Sequence, residues 1–351
     1  MKTNTKENRM CLTGYDLLGE SGNDGIRYAW KIHGYNEILE SAAFVYKTKG
    51  IINDVSGYTT SVSLGCILQK MGIACRFCRT GMLHPYRVHL KGDEIALQNV
   101  LMVLTDMNCD DRIELATRLR EFAYMGQGEP GYSYPQVKRA IQITDLAMAK
   151  LGQKVYRHIY STAGVEESLY CFYEDLTNNA FSSKVTLHFS LHSLVTRNFV
   201  MPIENIYPVH ALIPLMEKIS REMGEKISLG LILFKDFQSK CNEEVINTEF
   251  ETVQRYCHMF NPEFFRFSLC EFNDAPELGR FGKYKSEDAN RIKEYLQSEG
   301  YEAKLFYSFG RKENTACGML AGKEPEKKVS KKWGKLLEEA KELVKNCSGE
   351  I

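Results

Sequence analysis

From about residue 59 onward the chain switches between two hydrophobic periods. Short apolar or alternating runs read as strands, and longer runs with apolar residues three and four apart read as helices. The pattern predicts strands at Thr59–Cys66, Phe122–Gly126, Val155–Thr162, Lys184–His192, Ile227–Phe234 and Phe264–Phe272, with a last strand-like piece at Ala303–Phe309. Between them it predicts helices at Gly92–Thr105, Tyr134–Leu151, Val165–Asp175, His210–Met223, Glu243–Phe260 and Ser286–Ser298. Strands alternating with helices of this length pair in parallel through right-handed crossovers. Six such units do not close an eight-fold barrel. The expected fold is α/β, a partial (β/α)6 TIM-like barrel open on one side. In parallel α/β sheets ligands sit at the carboxyl ends of the strands, and each motif is tested against that rim.

The flanking segments read differently. The first ten residues are polar and frayed, and the alternation Ile26–Trp30 suggests a small hairpin or cap. Lys327–Asn346 is a charged amphipathic stretch, read as a solvated packing helix. The expected organisation is an N-terminal cap at 1–58, the barrel at 59–323 and a C-terminal helix at 324–351.

Composition narrows the classes. Of 351 residues, 44% are hydrophobic and 26% charged, ordinary for a globular protein. Lys and Arg total 45 and so do Asp and Glu, so the chain lacks the strong basic excess of many nucleic-acid binders, although a local basic face is still compatible. No run of about 18 apolar residues occurs, so no membrane span is expected. The opening MKTNTKENRM lacks the apolar core of a signal peptide. A cytoplasmic location is expected, where disulfides rarely persist. The eleven cysteines are then mostly free thiols, with a few that bind metal or do chemistry.

Three cysteines stand out: Cys66 after Gly65, and the pair in Cys75-Arg76-Phe77-Cys78. Cys66 closes the first predicted strand and the pair lies in the following loop. Three thiolates on a four-iron cluster leave one iron open to chelate a substrate. A lone C-x-x-C is shared with zinc and redox motifs. A zinc site completed by His84 or His89, or three buried thiols, is an equal reading of these residues alone.

Further motifs lie at the same rim. Gly126-Gln127-Gly128-Glu129-Pro130 follows the second strand, where a glycine pair would let a ligand approach the backbone and Glu129 would accept from an ammonium group. Ser161 ends the third strand, Ser190-Leu191-His192 the fourth and Asn273 the sixth, while Ala316-Cys317-Gly318 follows the last. Singly, each has a structural explanation: a turn, a capped strand end, a packed histidine.

Together and in this order, from about Asn23 to Gly322, they resemble the radical-SAM methyltransferases that methylate an adenine of ribosomal RNA, the RlmN/Cfr family. The resemblance implies a radical-SAM barrel with Cys66, Cys75 and Cys78 as ligands of a [4Fe-4S] cluster. It implies Gly128, Glu129, Ser161, Ser190, Leu191, His192 and Asn273 as S-adenosylmethionine contacts. It implies Cys317 as the cysteine that is methylated and then donates the one-carbon unit. A reductant such as flavodoxin or ferredoxin is the implied electron donor.

The chain also departs from the family. The cluster motif is C-x8-C-x2-C rather than C-x3-C-x2-C, so the insert Leu68–Ile73 must loop out, and Met71 occupies the place of the usual first cysteine. Thr59 stands where the family has a second, resolving cysteine, and a family glutamate falls at Ala43. The N-terminal RNA-binding domain is largely missing, because only 65 residues precede Cys66. Cys270 is the nearest substitute thiol, but alternation counted back from an inward Asn273 points it outward.

Three functions follow. One is C-methylation of an adenine in RNA, with Arg76, Arg79, His84, Arg87, His89 and Lys91 contacting phosphates. The second is radical modification of a small molecule or peptide, favoured by the neutral charge. The third is a cluster-binding protein without methyltransferase activity.

Overall fold

The computed structural model describes residues 9–19, 24–48, 51–235, 237–238, 244–245, 250–273, 282–283, 286–306, 320 and 322–351. Its frame is one sheet whose continuous path covers eleven strands. Four come from the N-terminal sixth of the chain: β1 (Met10–Leu18), β2 (Gly25–Ile32), β3 (Ile38–Thr48) and β4 (Ile51–Thr59). Six follow: β5 (Leu119–Tyr124), β6 (Val155–Thr162), β7 (Val185–Ser190), β8 (Ile227–Lys235), β9 (Phe265–Glu271) and β10 (Ala303–Phe306). The last is β11 (Lys327–Lys328). From β4 to β10 every neighbouring pair is parallel, while β4 to β1, and β1 with β11, are antiparallel. The path begins at β10 and ends at β11.

Six helices connect the parallel strands, as the alternating pattern requires: α3 (Gly92–Asn108), α4 (Tyr134–Lys150), α5 (Glu166–Thr177), α7 (Val209–Met223), α8 (Phe250–Tyr256) and α9 (Ser286–Ser298). Two short ones, α1 (Ile67–Lys70) and α2 (Arg79–Leu83), lie between β4 and α3, and a third, α6 (Arg197–Val200), follows β7. α10 (Lys331–Ser348) ends the chain. This is the expected partial barrel of six strand–helix units and a seventh strand. None of the described helices is long and apolar enough to cross a membrane.

The helices cover one face of the sheet. Phe122 and Tyr124 of β5, Leu187 and Phe189 of β7, and Leu229 and Leu231 of β8 bury into that layer. The intervening residues face the barrel interior, as the pleat dictates.

The structure differs from the sequence-based expectation at the first strand. It runs over Ile51–Thr59; residues 60–66 leave the main sheet, with Ser63–Leu64 pairing instead with Val88–His89, and are tied by Thr60 N–H to the Ala123 carbonyl and Val62 N–H to the Gln127 carbonyl. Asn53, Asp54 and Gly57 lower the strand propensity of 51–59. Pairing with β3 on one side and β5 on the other overrides that preference. The N-terminal segment likewise extends the sheet by three antiparallel strands. Of the helix expected at 243–260, Phe250–Tyr256 is α-helical and Cys257–Met259 a 3-10 turn, but Glu244–Val245 is a short strand paired with Phe237–Gln238; of the strand expected at 303–309, the described part is Ala303–Phe306. Lys327 and Lys328, read as the start of the tail helix, form the edge strand; α10 begins after Ser330, whose hydroxyl accepts from Trp333 N–H. Trp333 then stacks on Tyr15 at 4.0 Å.

Candidate active site

The cysteine loop begins at Gly65, whose φ of +72° favours glycine and where a Cβ would meet the Pro85 carbonyl oxygen at 2.3 Å. Cys66 follows, 8% exposed. The eight residues before Cys75 leave and return as a single helical turn. Ile73 N–H bonds the Leu68 carbonyl (2.9 Å) and Gly72, at φ +73°, closes the turn. Leu68 is buried and Met71 is 42% exposed. The insert therefore loops outward, and Met71 points away from the position a ligand would take.

Cys75 and Cys78 bracket a tight turn in which Cys78 N–H bonds the Cys75 carbonyl (3.1 Å). The turn docks on α6: Arg76 N–H bonds the Val200 carbonyl (3.0 Å) and its guanidinium lies 4.0 Å from the Phe199 ring centre. Phe77 meets the His192 ring edge-on at 5.0 Å, joining this loop to the end of β7. The three cysteines share one apolar layer with Ala163, Val165, Ile232 and Phe272, contributed by the ends of β6, β8 and β9.

Burial pushes all three thiols above their usual range. For Cys66 and Cys75 the charge of neighbouring thiols, and of Glu129, adds to it. The three therefore sit within electrostatic reach of one another. For Cys78 the amides of Gly81 and Thr80 oppose the rise. Metal binding to such thiols displaces their protons.

Among the described residues no three His, Cys, Asp or Glu side chains converge as a single-ion site. His84 is engaged elsewhere, with Nε2 at the Ile38 carbonyl (3.1 Å), and His89 packs on Tyr86 (5.2 Å). Among the described residues no four-ligand zinc site is formed. An iron–sulfur cluster takes one thiolate per iron, so its ligands converge on a cube of several atoms rather than on one ion.

At the rim, the glycines before Glu129 let a neighbouring segment of the chain pass close to their backbone. A Cβ at Gly126 would meet Ser61 Oγ at 2.6 Å, and one at Gly128, where φ is +109°, would meet Ser63 Oγ at 2.2 Å. They admit residues 60–64 close against the backbone of this turn. Glu129 is buried. It accepts from Gly131 N–H and Ala163 N–H, each at 2.9 Å, and from the Thr162 hydroxyl. Burial raises its pKa and these bonds oppose the rise. Three of about four lone-pair positions on this carboxylate are thus filled by the chain itself.

Ser161 is buried at the end of β6, Ser190 ends β7, and the N–H groups of Leu191 and His192 share the Gly230 carbonyl (3.1 and 2.7 Å). His192 has φ +52°, a left-handed conformation uncommon outside glycine and concentrated at functional sites. Burial, with His188 and Arg197 nearby, pulls its pKa down to about 3, so its ring is neutral at pH 7. Asn273 is buried two residues beyond β9.

Arg197 organises these ends, and its role was missed from sequence. Only 3% exposed, it donates to the carbonyls of Ala163 (2.6 Å), Ser190 (3.1 Å) and Leu191 (3.2 Å) and pairs with Glu204. Backbone carbonyls leave no pattern in a sequence, so nothing in it marks this role. Arg197→Met strands that acid and three carbonyls, and is expected to cost about 3–5 kcal/mol in chemical denaturation of the cluster-free chain.

His188 faces the interior beneath this rim, and its Nε2 has no hydrogen-bond partner. Burial, and then the guanidiniums of Arg266 and Arg157, lower its pKa from 6.5 to about 4. The unfolded chain therefore binds a proton that the folded chain refuses between these values. Stability is full above pH 6.5 and is lost as pH falls toward 4. Moving the cluster-free protein from pH 7.5 to 5 is expected to remove about 2 kcal/mol through this residue. His188→Gln should flatten that slope in urea titrations, and an unchanged slope would refute the assignment.

Other expectations change. Phe265, Phe267 and Leu269 pack outward under the helices, so Cys270 lies on the interior face of β9, not the outer one. The strand ends at Glu271, and alternation does not carry across to Asn273. Ala43 is buried in the outer layer, away from the interior. Three proposed phosphate contacts are engaged within the chain: Arg76 over Phe199, His84 on Ile38 and Arg87 with Glu37. Cys317 lies outside the described residues.

No family model matches the chain. Curated relatives do. It is 26% identical over 288 residues to a probable dual-specificity RNA methyltransferase RlmN of Dictyoglomus thermophilum, covering 81% of this chain and 72% of that one. It is 27% identical over 311 residues to a protein of the same description from Flavobacterium psychrophilum, covering 88% and 80%. The crystal structure of a radical SAM methyltransferase from Sphaerobacter thermophilus shares the fold, with a TM-score of 0.69 at 21% identity over 90% of this chain and 82% of that one.

Proposed function

We infer that this chain is a divergent RlmN-like radical SAM methyltransferase, and from that premise we propose that it transfers a one-carbon unit to an adenine in RNA. The observation that carries the reading is the shared layer in which Cys66, Cys75 and Cys78 meet the carboxyl ends of β6, β8 and β9.

The residues present fit a [4Fe-4S] cluster and S-adenosylmethionine. Cys66, Cys75 and Cys78 would each hold one iron, and Gly128, Glu129, Ser161, Ser190, Leu191, His192 and Asn273 would surround the cofactor. When bound, the two supply a carbon radical, which an aromatic C–H carbon requires because it is a poor nucleophile. The chain supplies the setting. Glu129 offers carboxyl oxygens held in place by three donors, and His192 carries no positive charge at neutral pH, so the rim does not oppose a sulfonium cation. Phe77, Ile232 and Phe272 keep water from the thiols. Cys317 would carry the methyl group. A low-potential donor of the flavodoxin or ferredoxin kind would supply electrons.

A small-molecule or peptide substrate is the second reading. It is favoured by the engagement of Arg76, His84 and Arg87 within the chain. Anaerobic reconstitution with methyl-labelled S-adenosylmethionine separates the two. Label is expected in an adenine of an RNA fragment, with binding that weakens steeply as salt rises. Label appearing only in peptide or small molecule, or an RNA affinity flat in salt, overturns the RNA substrate.

A further inference from the structure

The barrel interior is polar on the side where β7, β8 and β9 lie. Closed α/β barrels fill that space with bulky branched side chains. Here the inward positions are His188, Ser228, Gly230, Arg266 and Ser268. The outward neighbours on these strands are buried under the helices, whereas His188, Ser228, Arg266 and Ser268 are only half-buried. The strands are inner ones, so this exposure is to the lumen.

Strand register sets the polar side chains in a row. Ser161, His188, Ser228 and Arg266 are successive partners across β6, β7, β8 and β9. Partners in register share a face and neighbouring strands lie about 4.8 Å apart, so the row runs about 14 Å from Ser161 at the rim toward the edge strand β10. The next row toward the rim places Gly230, Ser268 and the exposed Lys304 side by side. The hydroxyls of Ser228 and Ser268 are hydrogen-bonded to each other, which ties the two rows together. A Cβ at Gly230 would meet His188 Nε2 at 2.7 Å, so glycine there leaves room for the imidazole.

The charges along this wall do not cancel. Arg157 is matched by Glu121 (2.6 Å), and Glu302, an acid within electrostatic reach of Arg266, is paired with Lys226 (3.0 Å). Arg266 itself makes no hydrogen bond or ion pair among the described residues. Buried arginines elsewhere are committed to the chain. Arg27 pairs with Asp16 and Glu40 and donates to the carbonyls of Lys323 (2.8 Å) and Glu324 (3.3 Å), and Arg197 holds three strand-end carbonyls. An arginine that the fold does not use, half-buried beside two hydroxyls in an open lumen, presents a planar fork suited to a phosphate or carboxylate.

We propose that Arg266, with the hydroxyls of Ser228 and Ser268, binds an oxyanion of the substrate, the phosphate of the nucleotide whose adenine meets the cofactor. Lys304 adds a second positive charge on the side of β10. The choice of phosphate rests on the RNA reading above, while the oxyanion site rests on Arg266 and its row.

The test compares adenosine 5′-monophosphate with adenosine by anaerobic calorimetry, using the reconstituted enzyme with S-adenosylmethionine present so that the cofactor's own adenine site is filled. Wild type is expected to bind the monophosphate at least about ten-fold more tightly than adenosine. Arg266→Gln should erase that advantage and leave adenosine affinity within about two-fold, and Arg266→Lys should be intermediate because it keeps the charge and loses the fork. Removing Arg266 breaks no bond within the described chain, and Ser268→Ala, which removes one proposed donor, gives a second variant with the same expected direction. No preference for the monophosphate in wild type, or a preference that survives in Arg266→Gln, overturns the proposal. Methyl label reaching an adenine in RNA without any such preference sinks the oxyanion site and leaves the RNA reading standing. The preference present, and lost with Arg266, while label never reaches RNA supports the site and removes the RNA reading.

Discussion

Cys75→Ala is expected to lose the iron–sulfur cluster and, with it, reductive cleavage of S-adenosylmethionine, a fall of roughly a thousand-fold or more, or at least about 4 kcal/mol in barrier. Cys66→Ala should do the same, and the reason lies in the geometry of the insert. Eight residues separate Cys66 from Cys75, yet the excess is taken up by one outward turn closed at Gly72. Cys66 stays in the apolar layer with Cys75 and Cys78. Met71, which sequence spacing puts in the usual ligand position, faces solvent. A Cys66→Ala, Met71→Cys double variant is therefore expected to remain without cluster. Iron content and the electron paramagnetic resonance of the reduced protein read the result directly. Restoration of the cluster in the double variant would show that residue 71, not residue 66, reaches the iron. The loss is not one of folding, because trimming a buried cysteine to alanine removes a single atom and typical single substitutions cost about 1 kcal/mol. Far-ultraviolet circular dichroism should be unchanged.

Cys317→Ala is expected to separate the two halves of the activity. The cysteine layer and the rim contacts lie outside residue 317, so reductive cleavage of the cofactor should persist. Methylated product should drop by about a thousand-fold or more, equivalent to at least about 4 kcal/mol. Mass spectrometry of the protein and of the substrate, with 5′-deoxyadenosine counted in the same reaction, measures both. A Cys317→Ala variant that methylates at the wild-type rate would eliminate the carrier role. If the wild type succeeds without a thiol at position 59, Cys270 is the interior-facing thiol on β9 to test for release of the substrate adduct, and Cys270→Ala should then accumulate a covalent species.

Much of the architecture was legible before any coordinates. The strand–helix alternation from Phe122 to Ala303 repeated with enough amplitude to fix five units and their parallel pairing, because burial of one helix stripe and one strand face writes a period into the sequence. The rim followed from the same count, since strand ends are where runs of apolar residues stop. The first strand was misplaced because 51–59 carries Asn, Asp and Gly, and its strand character comes from the two neighbours that flank it. The glycines at 126 and 128 were visible, but their purpose was not. Only the structure shows that they face Ser61 and Ser63.

The sequence by itself determined the order of elements, the rim on which the chemistry-bearing residues fall, and a resemblance strong enough to propose a cofactor. These are properties of local pattern and residue identity, and the chain carries them whether or not it is folded. The tertiary structure alone decided that the cysteine insert turns outward, that Cys270 faces the interior, that Arg197 binds three strand-end carbonyls, and that Arg27 with Asp16 and Glu40 grips a segment some three hundred residues away. Those facts rest on bonds to backbone groups and on which side of a pleat a residue lands. Every residue offers the same amide and carbonyl, so no choice among them is written in side-chain letters, and only the packed sheet selects the partner.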